Sequence, residues 1–210
     1  MNSTRFPGKV LSPFRGRTVL SWVVSRVSEA LGPGRVVVAT STEASDDAVA
    51  AHARETGVAV HRGPLEDVFS RLRGALDAHP CDWFFRISAD SPLVDSSILR
   101  AMLPLAVPGV DLVTNVFPRT FPAGQSAELI RAGAFRSVDA NVLTPSQREH
   151  VTTVFYEQPA RWCIVNLDSG RPERGEPLTV DRPEDLARLE AAYPAGLPLP
   201  SWAPAARSAA

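Results

Sequence analysis

The stretch that most constrains this chain runs from Asp82 to Asp95, DWFFRISADSPLVD. Trp83 to Ile87 sets three aromatics and an isoleucine around a single Arg86, the short apolar run expected of a strand buried on both faces of an α/β sheet. The run stops at polar ground: Ser88, Ala89 and Asp90 stand where the strand ends, and Pro92 blocks further ladder pairing. The Asp90 carboxylate is therefore expected at the carboxyl edge of the sheet, where open α/β sheets bind ligands. The alternative, that Asp90 caps the next helix, is weaker, because Asp95, Ser96 and Ser97 stand directly before ILRAMLPLA.

Around this strand the first half of the chain alternates. Val19 to Leu31 has the spacing of a helix packed on a sheet; Arg35 to Thr40, RVVVAT, follows a Gly-Pro-Gly turn and reads as a buried parallel strand. A helix over DDAVAAHARETG, a strand at Val58 to Val60, a helix at Leu65 to Ala78, the central strand, a helix at Ile98 to Ala106 and a strand at Val110 to Val116 follow. This alternation predicts a parallel sheet sandwiched by helices. Beyond it come a Pro-rich loop, FPRTFPAG, a strand at Ala127 to Ile130, helices at Gly133 to Val142 and Ser146 to Gln158, strands at Trp162 to Leu167 and Pro177 to Val180, and a closing helix at Asp181 to Tyr193. With 210 residues and 44% hydrophobic content the chain can bury one core. One domain over residues 1–193 is expected, with a disordered Pro- and Ala-rich tail over 194–210.

Net charge of −1 and a pI near 6.4 argue against bulk affinity for nucleic acid or an anionic membrane, so phosphate binding would have to come from local groups. No secretory signal and no membrane-spanning apolar stretch is read, and Cys81 and Cys163 lack the spacing of a zinc site or redox pair, which makes a reducing cytoplasm the default.

Several positions carry two readings. The loop with Ser3, Thr4, Arg5, Gly8 and Lys9 ahead of a helix has the groups to cradle phosphates, but no strand precedes it and a flexible terminus explains it too. Thr40, Ser41 and Thr42 end a strand as ligand contacts or as a helix cap; Ser45 also precedes that helix. Glu66, Asp67 and Arg71 fit a solvated helix face, and His61 a surface histidine. Asp181 and Glu184 around Pro183 make a capping box, the favoured reading; the other is that Asp181 faces Asp90 across a cleft and the two hold Mg²⁺ against a polyphosphate.

Taken in order, STRFPGKVL, VVVATS, VHRGPLEDVFSRL, FRISADSPLVD, REHVT and TVDRPEDL resemble the cytidylyltransferases related to the spore coat polysaccharide biosynthesis protein and to the acylneuraminate and deoxy-octulosonate cytidylyltransferases, over Asn2 to about Tyr193. The resemblance implies a Rossmann-like nucleotidyltransferase fold, a three-layer sandwich, and transfer of CMP from CTP to a sugar or sugar-like acid with release of pyrophosphate, in cell-surface polysaccharide or secondary-metabolite biosynthesis. It implies Arg5 and Lys9 on the triphosphate, with Ser3 and Thr4 beside them, and Thr40, Ser41, Asp67, Arg71 and Ser88 near the nucleotide. Asp90 and Asp181 would hold Mg²⁺; Asn115, Arg119, Glu128, Arg148, Glu149 and His150 would line the acceptor side. A homodimer is the family's implied assembly. Such a transfer needs positioning and charge neutralisation more than a protein nucleophile.

The chain departs from the family pattern at three places. Ala89 stands where Gly is usual. Ala123 to Glu128 reads AGQSAE instead of RGLDVE, so an Arg and an Asp are missing from the acceptor region and the usual acceptor does not follow. The family's first strand, with its QAR ending, is absent, from which the chain is expected to start late, to be poorly stable and to be weakly active. Two other classes remain: a glycosyltransferase of related fold, although Ser88-Ala89-Asp90 lacks the first acid of an Asp-x-Asp arrangement, and a non-catalytic nucleotide-binding relative.

Overall fold

Apolar residues recurring at every third or fourth position in one segment and every second in another sort the chain into helices and strands. The structure, a computed structural model, describes residues 6–170, 175–199 and 201–202. A short antiparallel hairpin, β1 (Pro13–Phe14) and β2 (Arg17–Thr18), leads into α1 (Val19–Leu31). Its turn places Arg15 at φ 47° and Gly16 at φ 78°, the left-handed pair that a two-residue hairpin requires. Thr18 caps α1 by accepting from the Ser21 amide, and Val19, Val23 and Val27 form its buried stripe.

β3 (Val37–Ser41), α2 (Asp47–Glu55), β4 (Ala59–Gly63) and α3 (Val68–Ala78) follow as the strand and helix spacings predict, and β3 and β4 pair in parallel. β5 (Trp83–Arg86), α4 (Ser96–Met102), β6 (Leu112–Thr114), β7 (Glu128–Arg131) and α5 (Ala132–Arg136) come next. α6 (Pro145–Glu149), α7 (Thr153–Glu157), β8 (Ile164–Asn166) and α8 (Pro183–Ala192) complete the order.

The sheet departs from the all-parallel expectation. β5, β7, β6 and β8 form one four-stranded sheet in that order, with β6 and β8 parallel but β7 antiparallel to both its neighbours. The 115–127 connection carries no helix to cross over the sheet, so β7 returns beside β6 in the opposite direction. β3 and β4 form a separate pair, and among the described residues β3 has only β4, and β5 only β7, as a ladder partner. β5 is consequently half-buried rather than buried on both faces.

Alternation along the strands separates two cores. Phe84, Leu112, Ile130 and Ile164 share one face and pack with Phe69, Phe135 and Phe155 from α3, α5 and α7. Phe135 centres this cluster, 4.4 Å from Phe69 and edge-on to Phe84 at 5.3 Å, and burial of each such ring is worth about 1.5–3 kcal/mol. Phe85, Val113, Leu129 and Val165 face the other way, onto Val23 and Val27 of α1 and Ile98, Leu99 and Met102 of α4. A third cluster gathers Phe14, Val19, Leu93, Leu178, Val180 and Leu189, with Phe6 and Trp22 against it, and so ties the N-terminal segment, the loop after β5 and α8 together.

Two late elements differ from the sequence reading. Pro177 to Val180 is not a ladder strand: the Leu178 amide donates to Ala123 O at 2.7 Å and the Val180 amide to Asp90 O at 2.9 Å, both in loops. The helix expected over Ser146 to Gln158 begins at Pro145, capped by Thr144 and Gln147, and divides into α6 and α7 because His150 leaves helical geometry. Gly124, at φ 91°, is required where Leu178 crosses: a Cβ there would meet the Leu178 carbonyl carbon at 2.6 Å. In the segment after α8, Trp202 packs edge-on to Phe121, and its backbone amide donates to Asp95.

Candidate active site

The loop after β5 carries Asp90 to the carboxyl edge of the sheet, as its strand-end position predicts. The third core cluster delivers two other segments to the same edge. One is the short 3₁₀ turn at Lys9–Leu11, preceded by Gly8 at φ 77°; the other runs from Thr179 to Asp181, held by the Val180–Asp90 backbone bond. The Lys9 ammonium donates to Asp90 Oδ2 at 2.7 Å and to Asp181 Oδ1 at 3.1 Å. Burial by itself would lower the Lys9 pKa; the hydrogen bonds and charges of Asp90 and then Asp181 outweigh it and hold the ammonium above its ordinary value. Ser91 adds a contact to Asp90 Oδ1 at 3.3 Å, and a cleft of about 380 Å³ opens beside Asp181.

The capping box expected of Asp181 is made by another residue. Asp185 Oδ2 accepts from the backbone amides of both Asp181 and Arg182 at 2.9 Å, which satisfies the start of α8 and leaves the Asp181 carboxylate pointing at Lys9. Glu184 takes no part in these bonds.

The expected nucleotide side is held mostly by caps. Thr40 Oγ1 donates to the buried Asp46 at 2.7 Å and the Ser41 amide donates to it at 2.9 Å, so this carboxylate closes the end of β3. Burial opposes the Asp46 charge, but the hydrogen bonds that it accepts, those of Ser41 and Thr40 among them, outweigh it and hold its pKa well below the carboxylate range. Asp67 is the N-cap of α3, accepting from the Ser70 amide and hydroxyl at 2.8 Å, and it also pairs with Arg148 of α6. Burial acts against the charge here too; the Ser70 bonds and Arg148 lower the Asp67 pKa nonetheless. Arg71 donates to Pro64 O and Leu65 O, and burial lowers its pKa against the pull of Glu149, Asp46 and Asp67. Ser88 is half-buried. Ser3, Thr4 and Arg5 lie outside the described residues.

Of the residues expected on the acceptor side, Asn115 is fully buried and braces the chain into β7, donating to Gln125 O and accepting from the Ala127 amide. Arg119 donates to Ser126 Oγ at 2.8 Å, and Gln125 ties the loop after β5 by donating to Leu93 O and accepting from the Asp95 amide. The AGQSAE segment thus replaces two charges with contacts internal to the protein. Arg148 is engaged with Asp67, whereas Glu149 and His150 are exposed. Glu128 is buried, with Tyr156 Oη donating to it at 2.8 Å and Arg86 at 3.5 Å. Arg86 and Tyr156 escaped the sequence reading. Their signals were a charge interrupting an apolar strand and a phenol following the apolar pair Val154 and Phe155.

A groove of about 490 Å³ between α1 and α2, where His52 bonds Thr18 and Ser21, shares no lining residue with the Asp90 and Asp181 edge. Among the described residues no three His, Cys, Asp or Glu side chains cluster as a metal site, and no helix is long and apolar enough to cross a membrane.

Two carboxylates from distant segments thus meet on one lysine at the carboxyl edge of an α/β sheet. The chain is 30% identical over 202 residues to the spore coat polysaccharide biosynthesis protein SpsF of Bacillus subtilis (strain 168), covering 92% of this chain and 82% of that one. It is 33% identical over 227 residues to the 3-deoxy-manno-octulosonate cytidylyltransferase of Mesorhizobium japonicum, covering 90% of this chain and 93% of that one. A cytidylyltransferase from Leptospira borgpetersenii superposes with a TM-score of 0.88 at 30% identity, over 94% of this chain and 84% of that chain. A CMP:2-keto-3-deoxy-manno-octonic acid synthetase solved with CTP shares the fold at a TM-score of 0.64 and 17% identity, over 91% and 93% of the two chains. The family model described as cytidylyltransferase matches residues 1–169, and the chain belongs to that family.

Proposed function

We propose that this chain transfers CMP from CTP to a hydroxyl of a sugar-like acid and releases pyrophosphate. The observation that carries this reading is the Lys9 ammonium set between Asp90 and Asp181 at the carboxyl edge of the sheet. In the reaction the acceptor oxygen forms a bond to the α-phosphorus and gives its proton to solvent, while the bond from that phosphorus to the bridging oxygen breaks and the electron pair leaves with pyrophosphate. Lys9 remains protonated and meets the charge that builds on the leaving group, and Arg5, which the family resemblance assigns to the triphosphate, would add a second cation. Thr40, Ser41, Asp67, Arg71 and Ser88 frame the nucleotide side.

Asp90 and Asp181 are the residues that would hold Mg²⁺. Two hard carboxylates already converging on one cation suit an ion that otherwise keeps water and phosphate oxygens as ligands. When bound, the metal neutralises phosphate charge and favours departure of pyrophosphate. The two aspartates also orient Lys9, and the backbone bond from Val180 to Asp90 O fixes their separation. The test is pyrophosphate release from CTP and Mg²⁺ across a panel of acidic sugars, sugar phosphates and phosphonates. Release that depends on one acceptor supports the reading; release of a nucleoside diphosphate from a nucleotide sugar, with none from CTP, contradicts it.

A further inference from the structure

A guanidinium inside a strand needs a reason, and the register of β5 supplies one. Arg86 lies opposite Glu128 of β7, which lies opposite Thr114 of β6, which lies opposite Asn166 of β8. These four side chains therefore share one face and form a polar row where the apolar rows of the Phe135 core end. Glu128 is 4% exposed, and a carboxylate so buried requires partners. Tyr156 Oη donates to Oε1 at 2.8 Å and in turn accepts from Thr114 at 2.8 Å; Arg86 Nη1 approaches Oε2 at 3.5 Å.

That last contact is long. Arg86 balances the buried charge without being saturated by it: its side chain is 32% exposed, and among the described residues Nε and Nη2 have no hydrogen-bond partner. It is the last residue of β5, four positions before Asp90 in the loop that follows. In-line displacement puts the attacking oxygen opposite the leaving pyrophosphate. Lys9 is assigned to the leaving group, and the polar row runs from Arg86 through β7 and β6 to β8, where Asn166 holds the Phe117–Pro118 loop by two hydrogen bonds.

We propose that Arg86 binds the oxyanion of the acceptor, and that Glu128 and Tyr156 are positioning residues that hold its guanidinium at the sheet edge. The inference rests on the cytidylyltransfer reading and adds which side chain meets the acceptor's acid. A planar fork suits a two-oxygen anion such as a carboxylate or phosphate. It also gives Glu128 an indirect part: with both oxygens engaged inside the fold, it acts on the acceptor through Arg86.

The test uses whichever acid of the panel the wild-type chain turns over, together with its uncharged derivative, a carboxamide for a carboxylate or a neutral ester for a phosphate. Arg86→Gln is expected to raise the KM for the acid by about 10- to 100-fold, with the KM for CTP within about twofold and discrimination between the acid and its derivative lost. Arg86→Lys, which keeps the charge but not the fork, retains part of that discrimination. Tyr156→Phe raises the acceptor KM in the same direction, with kcat little changed. Unchanged acceptor KM and intact discrimination in Arg86→Gln, or an effect on the KM for CTP instead, overturns the proposal while leaving cytidylyltransfer standing. Should Arg86→Gln fail to fold, Arg86→Lys decides by the same criteria. A wild-type chain that releases no pyrophosphate with any acid overturns both.

Discussion

Lys9 Nζ lies 2.7 Å from Asp90 Oδ2, although 81 residues separate them in sequence. The pair joins the N-terminal segment to the loop after β5, and Asp181 completes it from a third segment. Asp90→Asn keeps the shape of the loop and the Val180 backbone bond but removes one of the two carboxylate charges facing Lys9 and proposed to hold Mg²⁺. Turnover is expected to fall by several orders of magnitude, with the melting temperature little changed. Steady-state pyrophosphate release beside a thermal melt checks this, and near wild-type turnover would contradict it.

Lys9 also fixes a pH dependence. Its folded pKa lies above the ordinary value of 10.5, so its contribution to stability is fully present below that value and is lost as pH rises through the folded pKa. Lys9→Met should therefore differ from wild type in stability by a constant amount from pH 6 to 9, and the two should converge only in strong alkali. Urea melts across that range test it.

At the start of α8, cap and site separate cleanly. Asp185→Ala removes the acceptor of two backbone amides and should cost about 1 kcal/mol of stability with activity retained. Asp181→Asn should do the reverse, abolishing activity at nearly constant stability. Loss of stability in Asp181→Asn equal to that in Asp185→Ala would restore the capping reading.

Asp46 predicts acid behaviour. Its folded pKa lies below the ordinary 3.8, so the stability it supplies is fully present above 3.8 and is lost as pH falls toward the folded pKa. Asp46→Asn should cost about 1–3 kcal/mol at neutral pH, since Thr40 and the Ser41 amide lose a charged acceptor. That difference should shrink below pH 3.8, as denaturant melts at pH 7 and pH 3 would reveal.

How much of this was legible in sequence follows the range of the forces involved. The α1 stripe and the position of Asp90 are local consequences of spacing and strand termination, and they stand where the residues put them. The antiparallel return of β7 is set by pairing across 42 positions, Arg86 to Glu128, which no local pattern encodes. The Asp181 cap was misread because Asp185, one residue beyond Glu184, fits the backbone amides equally well in composition and better in geometry. Tyr156 became visible only when its partner Glu128 was found inside the sheet.

The central claim is a transfer of the α-phosphoryl group, and the fate of labelled phosphate tests it most directly. With CTP labelled at the α-phosphate, Mg²⁺ and an acidic sugar acceptor, the label is predicted to appear in a CMP-linked product, while label at the γ-phosphate appears only in pyrophosphate. Label from the γ-position in the acceptor product, or α-label recovered solely as CDP, would contradict it.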